Sequence, residues 1–188
     1  MLLKPPALKP GDRVRVVAPA GPFPRDAFDE GVRVLASRYQ PTFDPGIFSR
    51  FRYLAGDDDR RYRELWDALV DEQCRAVFCA RGGYGTMRIL QRIAVDALPP
   101  KLVIGFSDIT ALHLRWQAAG RASIHGPMMT QLGKQPPHSV DRLFRLLEST
   151  SPIEPLTGGR ACGRIALQLY AGQRRASKDC EFPLGYRP

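Results

Sequence analysis

Apolar and polar positions follow two periods along this chain. Arg13-Val14-Arg15-Val16-Val17-Ala18 alternates and then runs apolar, which predicts a first strand, ended sharply by Pro19-Ala20-Gly21-Pro22. From Asp26 to Tyr39 the period changes, and Phe28, Val32, Leu35 and Ala36 fall on one helical face. Pro41 to Gly46 reads as a connection, and Phe48 to Leu54 as an extended piece. Gly56-Asp57-Asp58-Asp59 then opens a helix whose apolar face is Tyr62, Leu65, Trp66, Leu69 and Val70. Arg75 to Ala80 is a short apolar strand, followed by a helix over Met87 to Ile93. Leu102 to Phe106 is a strand, Ile109 to Gln117 a helix, and Ala122-Ser123-Ile124 a further short strand. Ser139 to Leu147 is an amphipathic helix carrying Val140, Leu143, Phe144 and Leu147. Strands alternating with helices predict an α/β fold over 1–150, a mainly parallel sheet with flanking helices.

Two turns in this pattern carry candidate chemistry. Gly105-Phe106-Ser107-Asp108 joins a strand to a helix, where a serine Oγ can be lifted above the sheet edge. The first N–H groups of the following helix point into the same space and could stabilise an oxyanion. The same serine could equally cap the helix, and Ile109 stands where a G-x-S-x-G pattern has its second glycine. Arg81-Gly82-Gly83-Tyr84-Gly85 also follows a strand, and its glycines allow close approach to main-chain N–H groups. It is neither a Walker loop nor G-x-G-x-x-G. Ligands of parallel sheets sit beyond the carboxyl ends of strands, where both turns lie.

Composition narrows the class. The 188 residues are 44% hydrophobic and 25% charged, as in a soluble globular domain. No apolar run approaches membrane-spanning length, and the proline-broken start does not read as a signal peptide, so a cytoplasmic protein with no membrane partner is expected. The net charge of +9 is not gathered on one helix, and +4 of it lies from Arg160 onward, so no nucleic-acid partner is expected. Asp57, Asp58 and Asp59 suit the positive end of a helix dipole better than a metal. Cys74, Cys79, Cys162 and Cys180 lack zinc-ligand spacing and read as buried thiols. No metal and no cofactor is expected.

Five ordered blocks together resemble the N-terminal domain of the LD-carboxypeptidase (muramoyltetrapeptide carboxypeptidase) family of serine peptidases. They are Leu8-Lys9-Pro10-Gly11-Asp12 with Val16 to Gly21, Tyr53-Leu54-Ala55-Gly56-Asp57-Asp58-Asp59-Arg60, Arg81 to Gly85, Ile104 to Leu112, and His125-Gly126-Pro127. The resemblance covers roughly 5–165. It implies a flavodoxin-like, or class I glutamine amidotransferase-like, domain that bears the nucleophile. It implies cytosolic hydrolysis of the L,D amide that releases D-alanine from a murein tetrapeptide in peptidoglycan recycling. Some relatives instead cleave peptide-nucleotide antibiotics. By the same resemblance Ser107 is the nucleophile, and Asp108, Gly82 and Gly83 give main-chain oxyanion donors. Arg81 and Tyr84 are candidate substrate contacts.

The family completes its triad with a glutamate and a histidine from a C-terminal domain. Here the family-like text stops near Gly163-Arg164-Ile165. We expect 151–165 to be a linker and the start of that domain. The basic tail, 166–188, is expected to be poorly ordered, as from a shifted frame or a truncated gene product. His113, His125 and His138 read as structural or surface residues, with His125 best placed to approach the serine. The chain alone is then expected to be inactive for want of a base. The alternative is a non-catalytic module that binds murein peptides or a partner, a second copy included, through a face the missing domain would cover.

Overall fold

The computed structural model describes residues 3–151 and residue 153. Five strands form one sheet: β1 (Arg13–Val17), β2 (Gln40–Thr42), β3 (Ala76–Cys79), β4 (Leu102–Gly105) and β5 (Ile124–His125). Their order is β2-β1-β3-β4-β5, and every pairing is parallel. This is the flavodoxin-like order, with its topological switch point between β1 and β3.

The helices are α1 (Arg25–Ala36), α2 (Asp58–Val70), α3 (Thr86–Leu90), α4 (Thr110–Ala118), α5 (Met129–Leu132) and α6 (Pro137–Glu148). Alternate strand residues divide the interior in two. Val14, Val16, Phe78, Leu102 and Ile104 face one cluster with Phe28 and Leu35 of α1 and Leu143, Phe144 and Leu147 of α6. Val17, Val77, Cys79 and Val103 face the other, with Leu65 and Leu69 of α2, Ile89 of α3, and Leu112 and Trp116 of α4. Strands covered on both faces must be apolar throughout, which is why β3 and β4 are buried at every position.

The aspartate run begins α2 as expected. Asp57 is its N-cap and accepts from the Arg60 N–H at 2.7 Å. Asp58 and Asp59 pair with arginines. Cys74 and Cys79 are free buried thiols, and burial pushes both upward in pKa. The other two cysteines lie outside the described residues. So do the 151–165 linker, apart from 151 and 153, and the whole 166–188 tail.

Several local expectations need correction. The stretch read as a connection from Pro41 holds the last two residues of edge strand β2, whose Gln40, Pro41 and Thr42 pair with Arg13, Val14 and Arg15. Three polar or proline residues on an edge leave no apolar signature. Phe48 to Leu54 is not extended. A 3₁₀ turn covers Pro45–Phe48, and Phe51 and Leu54 close a tight antiparallel bridge with Arg52 at φ 57°. The helix read over Met87 to Ile93 is the shorter α3, ending at Leu90. Ala36 and Val70 are exposed, because each lies at the last turn of its helix, beyond the sheet. Helix α5 was not foreseen.

Candidate active site

Ser107 sits where β4 ends and a 3₁₀ turn (Ser107–Ile109) leads into α4. Its φ is 61°, and among the described residues only Arg52 shares that left-handed region without being glycine. Serine holds this conformation at a cost of about 1 kcal/mol. The side chain is exposed, although β4 behind it is buried throughout. Sharp strand-to-helix turns of this kind present a nucleophile above a sheet. The capping alternative is not realised: no side-chain cap bond closes either the 3₁₀ turn or α4.

The glycine turn packs directly against this serine. A Cβ built on Gly82 would stand 3.1 Å from the Ser107 Cβ and 3.3 Å from the Asp108 nitrogen. A side chain at 82 would therefore push the two turns apart. Gly83 and Gly85 have φ of 106° and 135°, which swing this segment across the sheet edge. Among the described residues, neither the Gly83 nor the Asp108 main-chain N–H donates to an acceptor. The Asp108 side chain links the turns, since its Oδ2 accepts from the Thr86 N–H at 2.9 Å. On the other side the Gly21 N–H donates to the Gly82 carbonyl at 3.0 Å. The loops after β1, β3 and β4 thus meet at the carboxyl edge, beside the switch point.

Arg81 and Tyr84 border the same turn and are exposed. The Arg81 guanidinium donates to the Pro22 carbonyl. The Tyr84 ring lies 5.7 Å from that of Tyr53, so two exposed aromatics flank the site.

The histidines divide by environment. His113 is committed to structure: Nε2 donates to the Gly105 carbonyl at 2.8 Å, so Nδ1, 2.9 Å from the Ser123 Oγ, accepts. Burial lowers its pKa below the ordinary histidine value, with the Gly105 carbonyl opposing. His125, at the end of β5, stands 5.8 Å ring to ring from Phe106 and 5.9 Å from His113. With Phe106, Gly126, Pro127, Gln131 and Lys134 it lines a cleft of about 300 Å³. His138 is exposed on α6. Among the described residues no histidine or carboxylate hydrogen-bonds to Ser107. No cluster of three or more His, Cys, Asp or Glu residues that could hold a metal occurs among them either.

Two buried charges escaped the sequence reading. Arg61 is fully buried and binds the Pro19 and Gly85 carbonyls. Glu64 Oε2 accepts from the Ala18 N–H at 2.6 Å, and Oε1 from Arg60 Nη2 at 2.6 Å. Burial outweighs both donors and pushes the Glu64 carboxyl up to about 7. A signal existed: Arg61 lies four positions before Leu65, on the buried stripe of α2.

Residues 14–126 match the family model described as the LD-carboxypeptidase N-terminal domain. The chain belongs to the LD-carboxypeptidase family. A Synechocystis sp. protein provisionally named a carboxypeptidase is 40% identical over 172 residues, covering 87% of this chain and 56% of its own length. The murein tetrapeptide carboxypeptidase of Pseudomonas aeruginosa is 32% identical over 182 residues, 87% of this chain and 58% of that protein. The chain thus spans a little over half the length of these relatives. The crystal structure of an MccF-like protein from Bacillus anthracis shares the fold, with TM-score 0.75 over 81% of this chain and 49% of that one, at 24% identity. Among the described residues no helix is long and apolar enough to cross a membrane.

Proposed function

We propose that this chain carries the nucleophile side of a serine-type L,D-carboxypeptidase site for murein tetrapeptide. One observation carries the reading: exposed Ser107, held at φ 61° on the turn after β4 and packed against the Gly82 turn. The Pseudomonas relative's name supports the substrate class. In this reading the Ser107 Oγ attacks the carbonyl carbon of the L,D amide. The carbonyl oxygen takes up the negative charge between the N–H groups of Asp108 and the Gly82-Gly83 turn. Collapse expels the amine of D-alanine, and water then hydrolyses the acyl-serine. Arg81 and Tyr84 offer a guanidinium and an aromatic face to the peptide.

The attacking hydroxyl must lose its proton, and no base among the described residues is bonded to it. The family resemblance assigns that proton to a histidine–glutamate pair from a C-terminal domain. The 188-residue chain by itself is therefore a poor catalyst, whereas the site completed by such a domain is active. The test is D-alanine release from a murein tetrapeptide by four proteins. These are the chain, the chain joined to the C-terminal part of the Pseudomonas relative, and the Ser107→Ala form of each. Turnover only in the completed protein with Ser107 is expected. Robust Ser107-dependent turnover by the chain alone would instead assign the base to an internal residue such as His125, which lines the cleft beside Phe106.

A further inference from the structure

Arg61 is a charged residue with no solvent access, on a helix whose other buried positions are mostly apolar. Its Nη1 donates to two main-chain carbonyls, Pro19 at 2.6 Å and Gly85 at 2.8 Å. Pro19 lies in the loop after β1, and Gly85 closes the glycine turn after β3. Nη2 pairs with Asp58, whose carboxylate also receives Nε and Nη2 of Arg88 from α3, the latter at 2.7 Å. One guanidinium therefore joins the base of α2 to both loops that flank the switch point.

The glycine turn has three anchors. Its start is held by the Gly21 N–H on the Gly82 carbonyl, and its far side by Asp108 on the Thr86 N–H. Between them, the Gly85 carbonyl accepts from Arg61 Nη1 at 2.8 Å and from the Arg88 N–H, at the start of α3, at 3.1 Å. The fit is close: a Cβ on Gly85 would come within 2.7 Å of the Arg61 Nη1. Burying a charge is costly, and an apolar side chain of similar volume often serves a buried site as well or better. Asp58 would keep Arg88 as a partner if Arg61 were replaced, so no orphaned carboxylate demands it.

We propose that Arg61 is a positioning residue for the Ser107 site: it fixes the Gly82–Gly85 turn, and with it the Gly83 N–H, against the Ser107 turn. Its catalytic consequence rests on the function proposed above, but its geometric content does not. Planar guanidinium donors in a fixed fork suit this task better than a single ammonium nitrogen, which cannot span the loop carbonyls and Asp58 with the same geometry. Arg61 touches no reacting atom. It acts through the main chain that would hold the oxyanion.

Two amides report on the turn directly, because each is hydrogen-bonded to or from it: Gly21 and Thr86. Ala80, bonded to the Val17 carbonyl, and Gly126, bonded to the Gly105 carbonyl, are controls on the same sheet edge. Amide hydrogen exchange is measured on the 188-residue chain and on Arg61→Met, Arg61→Lys and Gly85→Ala. The expected result is exchange at least tenfold faster at Gly21 and Thr86 in Arg61→Met and Gly85→Ala. Ala80 and Gly126 should stay within twofold, and Arg61→Lys should lie between. Gly85→Ala disturbs the same contact but also strains a backbone at φ 135°, so Arg61→Lys, which keeps the charge and loses the fork, decides the matter if Arg61→Met does not fold. Unchanged Gly21 and Thr86, or equal acceleration at all four amides, would overturn the proposal.

The second readout uses the chain completed with the C-terminal part of the Pseudomonas relative. Arg61→Met should lower kcat at least 30-fold with KM within threefold, and Arg61→Lys should restore part of kcat. An unchanged kcat beside loosened Gly21 and Thr86 amides would overturn the catalytic consequence. Absence of D-alanine release from the completed parent itself would overturn the proposed function and leave exchange to decide the geometry.

Discussion

The two apolar clusters and the carboxyl edge of the sheet obey different rules. In the clusters, buried side chains such as Phe28, Phe78, Ile104 and Leu112 fill space between sheet and helices, and no non-glycine residue there has a positive φ. At the edge, the loops after β1, β3 and β4 carry a serine at φ 61° and glycines at 106° and 135°, and a buried arginine of α2 reaches into them. Strain and buried charge lower stability, so they persist only where the surroundings fix them, and such places are commonly sites of chemistry. Phe28 earns its place by burial. Ser107 holds its place against its own backbone preference.

Replacing one residue from each region should sharpen this contrast. In the completed protein, Ser107→Ala should lower D-alanine release by about 10⁴-fold, while its thermal midpoint stays close to the parent's. A loss below about tenfold would mean that Ser107 is not the nucleophile. Phe28→Ala should do the reverse. Phe28 is fully buried and packs against Phe23, Phe43 and Phe48, so its removal should cost about 3–5 kcal/mol in denaturant unfolding of the chain. A cost under 1 kcal/mol would show that this cluster relaxes freely and that the contrast is overdrawn.

The next effect depends on pH. The folded-state pKa of Glu64 is raised to about 7, above its ordinary value of 4.5. The folded chain then holds more protons than the unfolded one between these values, so this group makes stability fall as pH rises through that window. His113 has the opposite sign. Its folded pKa is lowered by burial, so its contribution is present above 6.5 and is lost as pH falls towards the folded pKa. Glu64→Gln retains an acceptor for the Ala18 N–H and removes the charge. It should abolish the decline between pH 4.5 and 7, on the order of 1–3 kcal/mol, and leave the His113 slope. Urea unfolding at pH 5, 6 and 7.5 checks this, and an identical pH profile for parent and variant would refute it.

The smallest effect runs against the usual direction. Ser107→Gly should stabilise the chain by up to about 1 kcal/mol, because glycine takes φ 61° without the Cβ clash. A destabilised variant would mean that the serine side chain contributes bonds that outweigh the strain.

Much of this architecture was legible because its causes are local. Continuous apolar runs marked β3 and β4, and the aspartate run marked the start of α2, where the structure makes Asp57 the cap. Glycine spacing and a serine between strand and helix marked the two turns. Edge strand β2 was not legible, since Gln40, Pro41 and Thr42 owe their conformation to pairing with β1. The tasks of Arg61 and Glu64 were hidden for a related reason. A charge on a buried stripe shows that something is unusual, but its partners, Pro19, Gly85 and Ala18, lie 20 to 50 positions away in the chain.

The sequence by itself determined most of the alternation of strand and helix, the main apolar positions of α1, α2 and α6 and the two turns capable of chemistry, because these follow from residue spacing and backbone preference. Only the tertiary structure decided that the turns touch, with Gly82 against Ser107, and that Asp108 and Arg61 fasten the glycine turn. It also decided that His113 is spent on Gly105 and Ser123. Those contacts join segments distant along the chain, and parallel strands bring their carboxyl ends together only once the helices between them have crossed over the sheet.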